Sequence, residues 1–247
     1  MVADSAAYNA ENFLEALKSA DDSAKVDCLQ GLGQKVNSMG SDEVQRLFSS
    51  NVFVSLATMN SKSEDVLLAA RDALKKILAK VDSYFFVDNF HADIIASLRH
   101  ANPAMKQLLL DTLQSMTSND DSDRCLKVLA EAGSPLLTEA VHLLGSEEVA
   151  VSQASRRFLV AVGGPRPCAL LDSPSVLQEL NALIADTKGV KKCRAYEVLI
   201  DICLVSESAL EQCASLNLFK SLIGDLGNSQ DILCQLNALE LLTNLAT

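Results

Sequence analysis

Cys193–Ser206 reads CRAYEVLIDICLVS, and Asn237–Thr247 reads NALELLTNLAT. With Ala195 set on Ala238, the two agree in type: Tyr196 with Leu239, Glu197 with Glu240, Val198 with Leu241, Leu199 with Leu242, Asp201 with Asn244, Ile202 with Leu245 and Cys203 with Ala246. An apolar helix that recurs after about forty residues implies an α-solenoid, whose units bury their apolar faces only on each other. Such an array is a surface for binding, so the leading question is which partner it holds.

The repeat extends outward from this pair. Leu56, Leu98, Leu143, Leu183 and Leu222 close successive helices, at spacings of 42, 45, 40 and 39 residues. After each comes a polar turn: 59–65, 100–103, 145–148, 185–189 and 227–231. Each turn suits the start of a longer helix. Ser61-Lys62-Ser63-Glu64 has capping-box spacing, Asn102-Pro103 places proline in a first helical turn, and Ser146 precedes two acids that favour a helix N-terminus. A shorter helix leads each unit, near 42–49, 82–88, 122–132, 166–171 and 207–215. It is expected to end near Asn51, Asn89, Gly133, Asp172 and Asn217, residue types that tolerate a sharp left-handed turn. Short helix, turn, helix, turn, long helix is an armadillo-like unit. The expected fold is therefore all-α, an armadillo/HEAT-like solenoid of about five repeats over 41–247, preceded by a helical pair (near 6–19 and 23–37) that caps it over 1–40. Gly163-Gly164-Pro165-Arg166-Pro167 should end the third long helix.

Composition agrees. Of 247 residues, 49% are hydrophobic, with ten Gly and five Pro, enough for a large core and few linkers. Period-two β-branched runs are scarce, so little or no sheet is expected. The formal net charge of −11 argues against nucleic acid and against an anionic membrane surface, and favours basic surfaces on a protein partner. Seven cysteines without a CxxC pair look like small core hydrophobes in a reducing compartment, not a disulfide framework or a zinc site. The N-terminal stretch has no basic region followed by an apolar core, and Val198–Val205 is too short to span a bilayer. Ala238–Thr247 is apolar-rich where a solenoid needs a polar cap, so the chain is expected to be the N-terminal part of a longer solenoid.

Catalytic motifs are absent: the sequence has no GxxxxGK[ST], HExxH or GxSxG pattern. Gly31-Leu32-Gly33 follows a helical pattern rather than a strand and reads as a helix end. His91, His100 and His142 are isolated in sequence. An enzyme would need a histidine to converge with a cysteine or an acid across repeats. No enzymatic activity, no cofactor and no metal are expected.

Aligning the long helices on the terminal repeats gives one outward column, Asp72, Asp111, Arg157, Glu197 and Glu240. A second column, one turn on, is Lys76, Ser115, Val160, Asp201 and Asn244. The first column is acidic in four of five repeats. A solvated polar face would look the same; as a binding surface it would attract a basic partner. A tryptophan-and-asparagine ladder of the nuclear-import kind is missing, since the chain has no Trp. Lys191, Lys192 and Arg194 open the fourth long helix close to the acidic column. They read first as intra-repeat ion-pair partners and second as partner contacts.

The run Arg194, Tyr196, Glu197, three aliphatic residues, Asp201 and Ile202, followed by Val205-Ser206, Leu210 and Cys213, resembles the 26S proteasome non-ATPase regulatory subunit 5 family. The likeness is close over about 30 residues, and the other repeats agree in layout. It implies an assembly chaperone that binds the C-terminal small domains of ATPase subunits of the regulatory-particle base. On this resemblance the protein joins those subunits to a large non-ATPase base subunit, leaves before the proteasome is complete, and works as a monomer in the cytoplasm and nucleus. Tyr196 sits at a core-like position. The other reading kept open is a generic armadillo adaptor or cargo receptor for basic segments.

Overall fold

The computed structural model describes residues 10–19, 21–117, 122–131, 135–163, 174–186, 189–205, 211, 218–227 and 230–246. Among these there is no strand. The expected short helices at 166–171 and 207–215, and the helix ends at Gly133, Asp172 and Asn217, lie outside the described residues, apart from Glu211, which is helical. The chain divides into two compact units, Met1–Leu109 and Leu110–Thr247.

The first unit contains α1 (Ala10–Ser19), α2 (Asp22–Ser38), α3 (Ser41–Leu47), α4 (Ser50–Ala57), α5 (Glu64–Leu78), α6 (Ser83–His100) and the start of α7 (Pro103–Met116). Asp21 caps α2 by accepting from the Ala24 N–H at 2.9 Å, and Asp82 caps α6 by accepting from the Phe85 N–H at 2.7 Å. Asn102 caps α7 through the Met105 N–H at 3.0 Å, with Pro103 behind it as the sequence suggests. α5 shows why a long helix forms: Val66, Ala69, Ala70, Ala73, Leu74, Ile77 and Leu78 fall on one stripe, and all are buried. That stripe packs on α2 and α4, while α1 packs on α2 and α4, and α4 on α6. Helices of neighbouring repeats thus pack on one another, as a solenoid requires.

Four local expectations fail here. The helix through Asn89 does not break: α6 runs unbroken from Ser83 to His100, and the Asn89 side-chain amide donates to the Phe85 carbonyl at 2.9 Å. The turn before α4 comes at Phe48–Ser49, not at Asn51. The capping box at Ser61–Glu64 does not form, because α5 starts at Glu64 and Ser61 Oγ instead accepts from the Ser63 N–H at 3.1 Å. Gly31 and Gly33 also lie inside α2, not at its end. Gly33 lets the Lys76 side chain lie close along α2, where a Cβ would stand 3.1 Å from the ammonium nitrogen.

α2 ends on a cation from the next repeat. The Lys80 ammonium donates to the carbonyls of Val36 at 2.7 Å, Asn37 at 2.9 Å and Met39 at 2.6 Å. A helix C-terminus leaves its last carbonyls without partners and carries partial negative charge, so one ammonium with three protons completes it. Lys80→Met is expected to lower the unfolding free energy by about 2 kcal/mol, the size of hydrogen bonds to a charged group. Urea unfolding monitored by circular dichroism would show it, and a loss below about 0.5 kcal/mol would mean that water replaces the clamp.

The second unit takes the rest of α7, then α8 (Ser122–Glu131), α9 (Pro135–Leu144), α10 (Val149–Gly163), α11 (Pro174–Asp186), α12 (Val190–Val205), α13 (Phe219–Leu226) and α14 (Ile232–Ala246). These form helix pairs α9/α10, α11/α12 and α13/α14, with α10 packed on α12, α12 on α14 and α9 on α11. α10 runs to Gly163, and the rest of the expected stop, 164–167, lies outside the described residues. Buried Ser152 and Ser155 donate to the carbonyls of Leu144 (2.9 Å) and Ala140, pinning α9 to α10. Gly189 turns into α12 with φ of +62°, a conformation that L side chains rarely adopt. Asp231 caps α14 by accepting from the Cys234 N–H at 3.1 Å.

Candidate partner-binding surfaces

In the first unit α2 and α5 flank a groove of about 780 Å³. Asp22, Asp27, Asp65 and Asp72 line it, and Lys76 is the one basic residue of the lining. Leu29, Ala69 and Ala73 contribute buried apolar surface at its base, and Leu68 stands 54% exposed at its side. Asp22 also lies 3.6 Å from the Lys25 ammonium, so four carboxylates against two ammonium groups leave the groove a net negative field, and a concave wall strengthens such a field relative to open surface. Of the sequence-predicted residues, Asp72 and Lys76 are here. Asp22 and Asp27 were not picked, because α2 reads in sequence as a cap and not as a long helix of the array; Asp65 was not picked because it falls in the first turn of α5, where acids read as helix-terminal.

The second unit treats the predicted columns differently. Arg156, which neither column contains, reaches from α10 to α12. Its guanidinium contacts Glu197 at 2.5 Å and Asp201 at 2.7 Å, with Nε donating to Asp201 at 2.8 Å. Arg157 pairs with Asp111 at 2.7 Å. Here the expected acidic column is a row of ion pairs between neighbouring helices, with its carboxylates partly neutralised. Ser115 is exposed, and its hydroxyl donates to the Thr112 carbonyl at 2.8 Å. Val160 and Asn244 are half-buried, and Glu240 is exposed on α14. A single shift in the repeat alignment, from Arg157 to Arg156, would have exposed the bridging role.

The basic cluster at the start of α12 forms intramolecular contacts. Lys191 pairs with Glu147 at 3.1 Å, and Arg194 donates to the carbonyls of Leu144 at 3.0 Å and Ser146 at 2.7 Å, closing the end of α9. Lys192 meets Asp225 at 2.8 Å and 3.1 Å, and Tyr196 donates its hydroxyl to the same carboxylate at 2.5 Å. Tyr196 is fully buried, as its core-like position suggested. Burial, then the bond to Asp225, drives its pKa far above the ordinary tyrosine range, so the phenol stays neutral.

His142 lies 3.6 Å from Glu179. Both ring nitrogens of His91 are without a hydrogen-bond partner, and burial lowers its pKa, favouring the uncharged ring. Among the described residues the one group of three ligand-type side chains is Cys193, Asp231 and Cys234. On α13 and α14, Ile223, Ile232, Leu233, Leu236 and Leu239 are 52–68% exposed. Among the described residues no helix is long and apolar enough to cross a membrane.

Comparison with known proteins bears on this geometry. The family described as proteasome non-ATPase 26S subunit matches residues 6–247. The 26S proteasome non-ATPase regulatory subunit 5 of Mus musculus is 27% identical over 194 residues, covering 78% of this chain and 37% of that protein. The Homo sapiens protein of the same name is 26% identical over the same shares. The matched region is thus well under half the length of these relatives. Among solved structures, an engineered protein superposes with a TM-score of 0.52 at 20% identity, covering 96% of this chain and 98% of its own. A designed armadillo repeat protein in complex with the peptide (KR)4 superposes with a TM-score of 0.50 at 18% identity, covering 95% and 98%. These two likenesses, with the helix packing in each unit, show an all-α armadillo/HEAT solenoid.

Proposed function

The chain belongs to the proteasome non-ATPase 26S subunit family, and from that premise we propose that it is an assembly chaperone of the regulatory-particle base. In this reading it binds the C-terminal small domains of the base ATPases and helps them join a large non-ATPase base subunit. It then leaves before the proteasome is complete. It acts by binding, without turnover and without a cofactor, as a monomer in the cytoplasm and nucleus. The observation that carries the binding mode is the acidic groove between α2 and α5 in a chain of net charge −11. Its carboxylates suit a basic surface on the partner, and Leu68 offers one apolar contact beside them. Complementary charge of this kind raises the association rate and fixes orientation more than it raises affinity.

The test is binding of isolated proteasomal ATPase C-terminal domains to the 247-residue chain at low and high salt. The double variant Asp22→Lys with Asp72→Lys is expected to weaken binding about tenfold at low salt, or ~1.4 kcal/mol, with unchanged helicity. The effect should shrink at high salt as the charges are screened. Unchanged affinity would remove the groove from the interface; no binding by the parent chain would remove the chaperone reading for this part of the solenoid. A generic adaptor for basic segments would use the same four carboxylates. It predicts tight binding to short basic peptides, which the chaperone reading does not.

A further inference from the structure

The thiols of Cys193, in the first turn of α12, and Cys234, in the first turn of α14, lie 2.9 Å apart. Both residues are buried, 1% and 3% exposed, and their helices pack directly on each other. Non-bonded heavy atoms ordinarily rest roughly 3.5–4 Å apart, whereas a disulfide is about 2.05 Å long. The pair therefore sits inside ordinary contact distance, less than about 1 Å from bonding distance. Asp231 stands beside them as the third member of the cluster, and Cys234 Sγ also faces the Gly189 carbonyl at 3.7 Å. A tetrahedral zinc ion with bonds of about 2.3 Å would hold two sulfurs roughly 3.7 Å apart, wider than this pair. The positive charge of Lys192 acts on Asp231, which further disfavours a dication.

We propose that Cys193 and Cys234 form a redox modification site, converted by a two-electron oxidant of the peroxide class into a disulfide that joins α12 to α14. One thiol gives up its proton and the thiolate attacks a peroxide oxygen; the O–O bond breaks, and the departing hydroxide takes up that proton and leaves as water, giving a sulfenic acid. The second sulfur then attacks the first; the S–S bond forms, the S–O bond breaks, and the hydroxyl leaves as water with the second thiol's proton. In sum, two thiols and one hydrogen peroxide give one disulfide and two waters. Burial, then the hydrogen bond with Cys193, holds the Cys234 thiol above its usual range. The thiolate is thus scarce at neutral pH, and the pair stays reduced until oxidant is abundant. Once formed, the bond closes a loop between residues 41 apart in sequence. It also fixes together the helices that carry Glu197 and Glu240. This inference stands independently of the chaperone reading.

The experiment treats the intact 247-residue protein with millimolar hydrogen peroxide, blocks the remaining thiols, and maps peptides by mass spectrometry without reduction. The expected result is a loss of about 2 Da and a dominant Cys193–Cys234 linked peptide. Tm should rise by about 5–15 °C, and dithiothreitol should reverse the rise. Cys193→Ser and Cys234→Ala should each abolish the link and the Tm rise, while Cys203→Ser, at another buried cysteine, should preserve both. Circular dichroism of each variant separates loss of the bond from loss of the fold. If either single variant fails to fold, the parent and Cys203→Ser maps decide. Free thiols at both positions after oxidation, sulfinic acids without a link, or a dominant link elsewhere would each overturn the proposal. So would one equivalent of zinc retained through dialysis with both thiols protected.

Discussion

Replacing Phe53 with alanine is expected to remove about 3–5 kcal/mol from the stability of the first unit, the range for truncating a buried aromatic ring. Phe53 is fully buried on α4 and touches three other rings. It meets Phe48 edge-on at 5.7 Å, Phe86 edge-on at 5.4 Å and Phe90 at 5.7 Å, while Phe48 stacks on Phe90 at 4.9 Å. These rings come from α4, from α6 and from the turn before α4, so the cavity would open where three segments meet. Edge-to-face pairs add about 0.5–1.5 kcal/mol beyond area burial. Phe53→Leu should cost much less, because it keeps most of the volume. Urea unfolding by far-ultraviolet circular dichroism measures both. A Phe53→Ala loss below about 1 kcal/mol would show that the site collapses freely.

Lys192→Met is expected to cost about 3 kcal/mol in the second unit, as breaking one side of a buried ion pair does. The Lys192 and Asp225 side chains are 13% and 12% exposed, so solvent screens them little. Without the ammonium, the Asp225 carboxylate keeps the Tyr196 hydroxyl as a donor but loses its counter-charge. The double variant Lys192→Met with Asp225→Asn should recover much of that loss, because the stranded charge is gone while the amide oxygen can still accept from the Tyr196 hydroxyl. Chemical denaturation of the two variants side by side decides the matter. If the double variant is as unstable as the single or worse, the cost lies in lost packing and not in an unpaired carboxylate.

The solenoid was legible in the sequence because its signal is redundant. Leu56, Leu98 and Leu222 are fully buried at the slots the period assigns them. The helix boundaries were less legible. Asn89 tolerates a turn without compelling one, and the buried stripe Phe86, Phe90, Ile94, Leu98 keeps helical spacing straight through it. At Ser61 and Ser63 two hydroxyls compete for the same cap, and spacing alone does not choose between them. The columns of the candidate surface lie on the long helices α5, α7, α10, α12 and α14, yet column position says nothing of what leans across from the neighbouring repeat. Arg156 converts Glu197 and Asp201 from free charge to paired charge. The α2/α5 groove was missed for a related reason: it depends on two helices separated by a whole repeat. The cysteines were read singly as core hydrophobes, and the repeat alignment sets Cys193 on Leu236, so nothing in the periodicity points to Cys234.

The Lys80 clamp also bears on the order in which the chain is made. The carbonyls at the end of α2 receive their donor from a residue 41 to 44 positions later. During synthesis α2 leaves the ribosome with its C-terminal end unfinished and its buried face uncovered. It becomes secure only when α5 and the turn behind it have emerged. Because each repeat in this way completes its predecessor, the nascent chain should consolidate one repeat behind the point of growth.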